Sequence, residues 1–188
     1  GLSVQVTSDL VGLTSQMPTP FNKSAETAMA LAFNYAPCSD KACASRMKLT
    51  IGNLFGLGID YVADQNGSIH AKNGTIAVGQ TLPTKPNGNG LAIFAKAQNF
   101  NYDNWQTVLA DLSDAYEEDP NSNLKSLSLS RAVITVNNFD YHKLNFRNVN
   151  VNAQLGQSGQ WTGSVASDLA KGRFIFVPEK RQSHALLR

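Results

Sequence analysis

Between Ser126 and Val177 the chain alternates apolar and polar residues with a period of two, interrupted by clusters of Asn, Asp and Gly. Val149, Val151, Ala153 and Leu155 take one set of positions, and Asn148, Asn150, Asn152 and Gln154 the other. Successive side chains of an extended strand point to opposite faces, so this pattern makes one face apolar and the other wet. A helix would scatter the same residues around its circumference. Four or five short antiparallel strands, joined as a meander by the turn clusters, are therefore expected here.

The rest of the chain reads as more of the same sheet. Leu2 to Leu13 alternates loosely as a first strand, and Pro18 and Pro20 then exclude regular ladder pairing. Met29, Leu31, Phe33 and Tyr35 alternate with smaller residues as a strand, with an Ala-rich helix as the competitor. Arg46 to Ile51, Gly58 to Ala63 and Gly90 to Ala97 are further strands. Asp64 to Gly67 marks a hairpin turn, and Asn73-Gly74 either a second turn or a bulge. Gly79 to Gly90 is a loop rich in Pro, Gly and Asn.

One helix stands out over about 103–117. Trp105, Val108, Leu109, Leu112 and Tyr116 form one apolar stripe at helical spacing. Asp103 followed by Gln106 suits a capping box at its start, and Pro120 stops it. The expected fold is mainly β: a curved, twisted antiparallel sheet with one amphipathic helix lying on it.

A chain of 188 residues can bury one sizeable core, so a single β-rich domain over 1–188 is expected. Sixteen Lys and Arg against fourteen Asp and Glu leave a net charge of +2. Nucleic-acid binding needs clustered basic residues, and the one cluster (Lys171, Arg173, Lys180, Arg181 and Arg188) reads as a solvated tail. No apolar run approaches the ~20 residues of a membrane helix. The chain opens at Gly1 without Met or a signal peptide, which leaves both a mature protein and an excised fragment open. Cys38 and Cys43 lack the further ligands that tetrahedral zinc requires. A disulfide closing a tight turn and a pair of core thiols are the two readings left.

Signs of catalysis are few. There is no zinc-protease, P-loop or dinucleotide motif. Gly156 to Gln160 resembles a nucleophile elbow until its last position, where Gln160 replaces Gly. Asp119 to Asn123 starts like a calcium loop, but Leu124 stands where Gly is needed. His70, His142 and His184 lie far apart in sequence without ligand spacing. The expectation is a protein that is not an enzyme and that holds no metal and no cofactor.

Several strands are apolar on both faces, for example Leu91, Ile93 and Ala95 against Ala92 and Phe94. Alternation assigns Leu91, Ile93, Ala95, Ile134, Val136, Val149, Val151, Leu155, Trp161 and Val165 to an apolar interior. That interior is either the closed core of a two-layer sandwich, which doubly apolar strands ordinarily mean, or a groove for a greasy ligand.

The order of these pieces resembles the large AsmA-like proteins of the YhdP type. Ser8 to Leu13 followed by Met17-Pro18-Thr19-Pro20-Phe21-Asn22-Lys23 is similar to their Gly-Leu … Leu-Pro-x-Pro-Leu-x-Lys passage. Gly90-Leu91-Ala92-Ile93, Phe100 and Trp105 are similar to their strand-to-helix passage. Asn148-Val149, Trp161 and Gly172-Arg173 resemble their repeated strand unit. Met17, Lys96 and Lys171 depart from the pattern. The resemblance implies an internal segment of a long periplasmic β-groove, with the full-length protein anchored in the inner membrane of Gram-negative bacteria. Its implied partners are phospholipid and neighbouring segments of the same chain, its implied role passive movement of phospholipid towards the outer membrane. An oxidising compartment for Cys38 and Cys43 agrees with it. No catalytic residues come with it.

Overall fold

The computed structural model describes residues 2–39, 43–84, 88–118 and 127–178, with side chains in the helix only as far as Asp111. Lys180, Arg181, His184, Arg188 and the stretch Asp119 to Leu124 lie outside the described residues.

Ten strands and one helix follow one another as β1 (Val4–Ser8), β2 (Leu31–Pro37), β3 (Ser45–Ile51), β4 (Phe55–Ala63), β5 (Ile69–Val78), β6 (Gly90–Asn101), α1 (Tyr102–Glu118), β7 (Leu129–Tyr141), β8 (Leu144–Leu155), β9 (Trp161–Ala166) and β10 (Lys171–Phe176). All ten strands join a single sheet in chain order. A sandwich needs a second sheet, and none is present among the described residues.

Hairpins join β2 through β5 and β7 through β10 antiparallel, each closed by local turn chemistry. Asp64 accepts backbone N–H bonds from Asn66 and Ser68 to close the β4–β5 turn. The Gly156 to Gln160 stretch is the β8–β9 turn, with Gly159 at φ +78°. Between β7 and β8 the turn is only His142-Lys143, with His142 left-handed at φ +52°.

Purely antiparallel pairing fails at one place. β6 runs parallel to both β5 and β7. The reason is the connections: the loop after Gly79 and the helix α1 each carry the chain back to the end at which the preceding strand began, as a parallel neighbour requires. Asn73-Gly74 is not a turn but belongs to β5. Lys72 is the extra residue of a bulge, since Asp60 pairs with Asn73 while Tyr61 pairs with Ala71.

Three local expectations are also corrected. β1 spans only Val4–Ser8, because Ser8 and Asp9 side chains accept the N–H groups of Leu10 and Val11 and turn the chain. The helix cap is Asn101, the last residue of β6, whose Oδ1 accepts the Asn104 N–H at 3.1 Å. Asp103 sits inside the first turn, and its carboxylate instead accepts the His142 N–H at 3.3 Å and lies 3.0 Å from the His142 Nδ1. Nor does the described part of α1 blanket the sheet. Trp105 stacks on Phe100 and meets Phe21 edge-on, while Leu109 is exposed.

Candidate functional site

Residues paired directly across neighbouring strands point to the same face. One such row crosses the whole sheet: Val6, Phe33, Leu49, Leu57, Ile76, Ile93, Ala132, Ala153, Gly163 and Phe174, one from each strand. Every member is apolar. A second row, two residues along, runs Leu31, Ile51, Phe55, Val78, Ala95, Ile134, Val151, Val165 and Gly172 from β2 to β10. On the other side of the first row, Val4, Tyr35, Met47, Ile59, Gly74 and Leu91 form a third from β1 to β6. None of these rows carries a charge.

The positions in between point the other way and are mostly polar. Gln5, Asn34, Lys48, Gly58, Thr75, Ala92, Arg131, Gln154, Thr162 and Ile175 form the matching row. Arg46 and Asp60 pair on this polar face, with Nη2 donating to Oδ2 at 2.8 Å and Nε to Oδ1. Amide ladders such as Asn137 to Gln98, at 2.7 Å, tie the polar face together. A shallow cavity of about 220 Å³ on it is lined by Val133, Thr135, Asn150, Asn152, Ser164 and Ala166.

All ten residues that alternation assigns to an apolar interior lie on the face of these rows. Ala95, Ile134, Val151 and Val165 stand in one row, Val136 faces Val149, and Leu155 faces Trp161. Leu91 and Ile93 belong to the flanking rows. The same face continues over β1 to β5, where Val6, Phe33, Leu49, Leu57 and Ile76 complete it. The signal for them was present as alternation in Leu31 to Tyr35 and Met47 to Ile51; what it lacked was a register linking them to β6.

Burial grades across this face. Ile59 at its centre is 1% exposed, whereas Val6 near one edge is 48% and Phe176 near the other 58%. Most other members are half-buried, shielded by their neighbours and not by a second layer. Val136 and Ala153 on β7 and β8 are buried, and a small core forms on β4 to β6. There Leu127 packs with Ile59 and Ala71, flanked by Met47, Leu57, Tyr61 and Leu91. Directly behind it, Leu82 of the β5–β6 loop lies over Gly56 and Gly58 on the polar face. The sheet is thus covered from both sides at β4 and β5, next to the strand β6 that runs parallel to its neighbours.

Phe174 lies across Gly163, where an added Cβ would come within 2.6 Å of its ring. Burial raises the Tyr61 phenol above its ordinary pKa, and the neighbouring Tyr35 adds to the effect. Cys38 and Cys43 are joined by a disulfide that closes the β2–β3 connection, with Cα atoms 5.8 Å apart. Asp60 is near both sulfurs, but these are bonded to each other and its carboxylate holds Arg46. No helix among the described residues is long and apolar enough to cross a membrane.

A family model described as YhdP protein matches residues 1–187. No curated protein and no solved structure matches the chain.

Proposed function

The chain belongs to the YhdP family of AsmA-like proteins, and we propose that it forms one segment of a periplasmic groove that shields phospholipid acyl chains on their way between the inner and outer membranes. The observation that carries this reading is the uncharged row that crosses all ten strands without a second layer over most of it. Covering such a face with an acyl chain is favourable by about 0.8 kcal/mol per methylene buried, so ten methylenes supply roughly 8 kcal/mol. Head groups stay in water beyond the strand ends. No bond is made or broken, and the protein acts as a surface rather than as an enzyme.

Among the described residues, β1 and β10 each have a strand on one side only. Neighbouring segments of a longer chain, anchored in the inner membrane, would extend the sheet from these edges and lengthen the groove. A binding or adhesion module without a lipid role is the competing reading, favoured by the shallow cavity on the other face.

Native mass spectrometry of the chain purified from a bacterial host, with solvent extraction, tests the lipid reading. Co-purifying phospholipid is expected with the wild type and is lost in Ile134→Asp or Val151→Asp that keep the β-sheet circular dichroism. Absence of lipid from the wild type, or equal lipid in the aspartate variants, would overturn it.

A further inference from the structure

We propose that Leu127 is a specificity-determining partition of the apolar face: beside β4, β5 and β6 it fills one of the three apolar rows and confines acyl chains to the other two. The inference rests on the lipid reading above and adds a restriction to it.

Among the described residues, Leu127 is the one outside the strands that joins the buried apolar cluster on this face. It is 4% exposed, and beneath it Ile59 and Ala71 are closed off from solvent. Gly74 is the seat. A Cβ there would approach Leu91 Cδ1 to 3.1 Å and Leu127 Cδ1 to 3.3 Å. Glycine weakens a strand interior, and a close approach from another part of the chain is a common reason for one. The chain next to Leu127 is fixed to β6, since Leu91 N–H donates to the Ser128 carbonyl at 2.9 Å and Ser130 Oγ to the Leu91 carbonyl at 3.1 Å. The backbone that carries Leu127 is therefore held at the start of the β6–β7 ladder.

The closure stops within one row. Leu57, Ile76 and Ile93, two residues along the strands, are only half-buried, and so are Phe55, Val78 and Ala95 beyond them. Rows on one face of a strand are roughly 7 Å apart, about one layer of methylenes in van der Waals contact. A chain moving from the β1 side to the β10 side has to pass over Ile76 and Ile93, not over Ile59 and Gly74. The narrowing sets how many acyl chains can lie side by side at this crossing.

A fatty acid carrying a diazirine in its chain, photolysed on the purified protein, reads the partition directly by peptide mapping. In the wild type, label is expected on Ile76 and Ile93 and not on Ile59 or Ala71. Leu127→Ala should raise label on Ile59 and Ala71 about tenfold, the occupancy gain of one or two methylenes newly seated there. Should that variant fail to fold, Leu127→Val gives the same comparison with a smaller gain. Wild-type label on Ile59 or Ala71, or no gain in a folded variant, overturns the partition and leaves the lipid reading standing. No label anywhere on the apolar face overturns the lipid reading itself.

Discussion

At the scale of single residues, the molecule separates groups that share one strand by their parity. Tyr61 points to the apolar face and Asp60, its neighbour, to the polar one. Each consequence can be tested. The folded Tyr61 phenol has a pKa above the ordinary value of 10.0, chiefly because burial disfavours the phenolate. Its contribution to stability is complete below pH 10.0 and is lost as pH rises through the higher folded value. Urea midpoints of the wild type should therefore fall at strongly alkaline pH more than those of Tyr61→Phe. Asp60 is matched to Arg46 by two charge-assisted hydrogen bonds. Arg46→Met leaves that carboxylate buried without them and should cost about 2 kcal/mol in a denaturant titration. Adding Asp60→Leu should recover part of the loss. Parity is what the sequence displays best, which is why every assigned groove residue falls on one face. The pairing of Arg46 with Asp60 was not legible, because it depends on the register of β3 against β4 and not on either strand alone.

At the scale of elements, strands were easier to read than the devices that start and stop them. The helix was plain from its apolar stripe, yet its cap is Asn101, a residue inside a strand pattern. A capping side chain must sit where the backbone turns from extended to helical, and the spacing of Asp103 and Gln106 could not place that point. Asn101→Ala should lower stability by about 1 kcal/mol, whereas Asp103→Ala should chiefly loosen the β7–β8 turn at His142. Backbone amide exchange of His142 distinguishes the two, rising in Asp103→Ala alone. The same reasoning applies to β2–β3. Two cysteines five residues apart allow a disulfide or free thiols from sequence, and only the hairpin that brings their Cα atoms to 5.8 Å decides. Closing so short a loop stabilises by about 2 kcal/mol in the chain-entropy account, so a Cys38→Ser/Cys43→Ser variant should unfold at lower denaturant by that amount.

At the scale of the whole molecule, the decisive feature is what the sheet leaves open. Local alternation could not reveal that β6 runs parallel to both neighbours, because strand direction is set by the connections. That reversal matters, since it brings Leu127 onto one face and Leu82 onto the other, so that among the described residues the sheet is covered from both sides there. Away from it the described residues form one layer, with β1 and β10 at its two edges. Ile175 on β10 is 72% exposed. β10 carries Lys171 and Arg173 only in its first half, and β1 has neither the charges nor the prolines that usually block pairing at an edge. Joining β10 of one copy to β1 of the next is a heterologous contact, which does not close on itself and grows with concentration. Sedimentation velocity over a concentration series should therefore show mass rising for the wild type. Lysine at either edge, in Ile175→Lys or Val6→Lys, should suppress it, because each end-to-end contact needs both edges. A wild type that stays monomeric throughout would mean that the edges are inert, and the sheet would then have to be extended through contacts other than strand pairing.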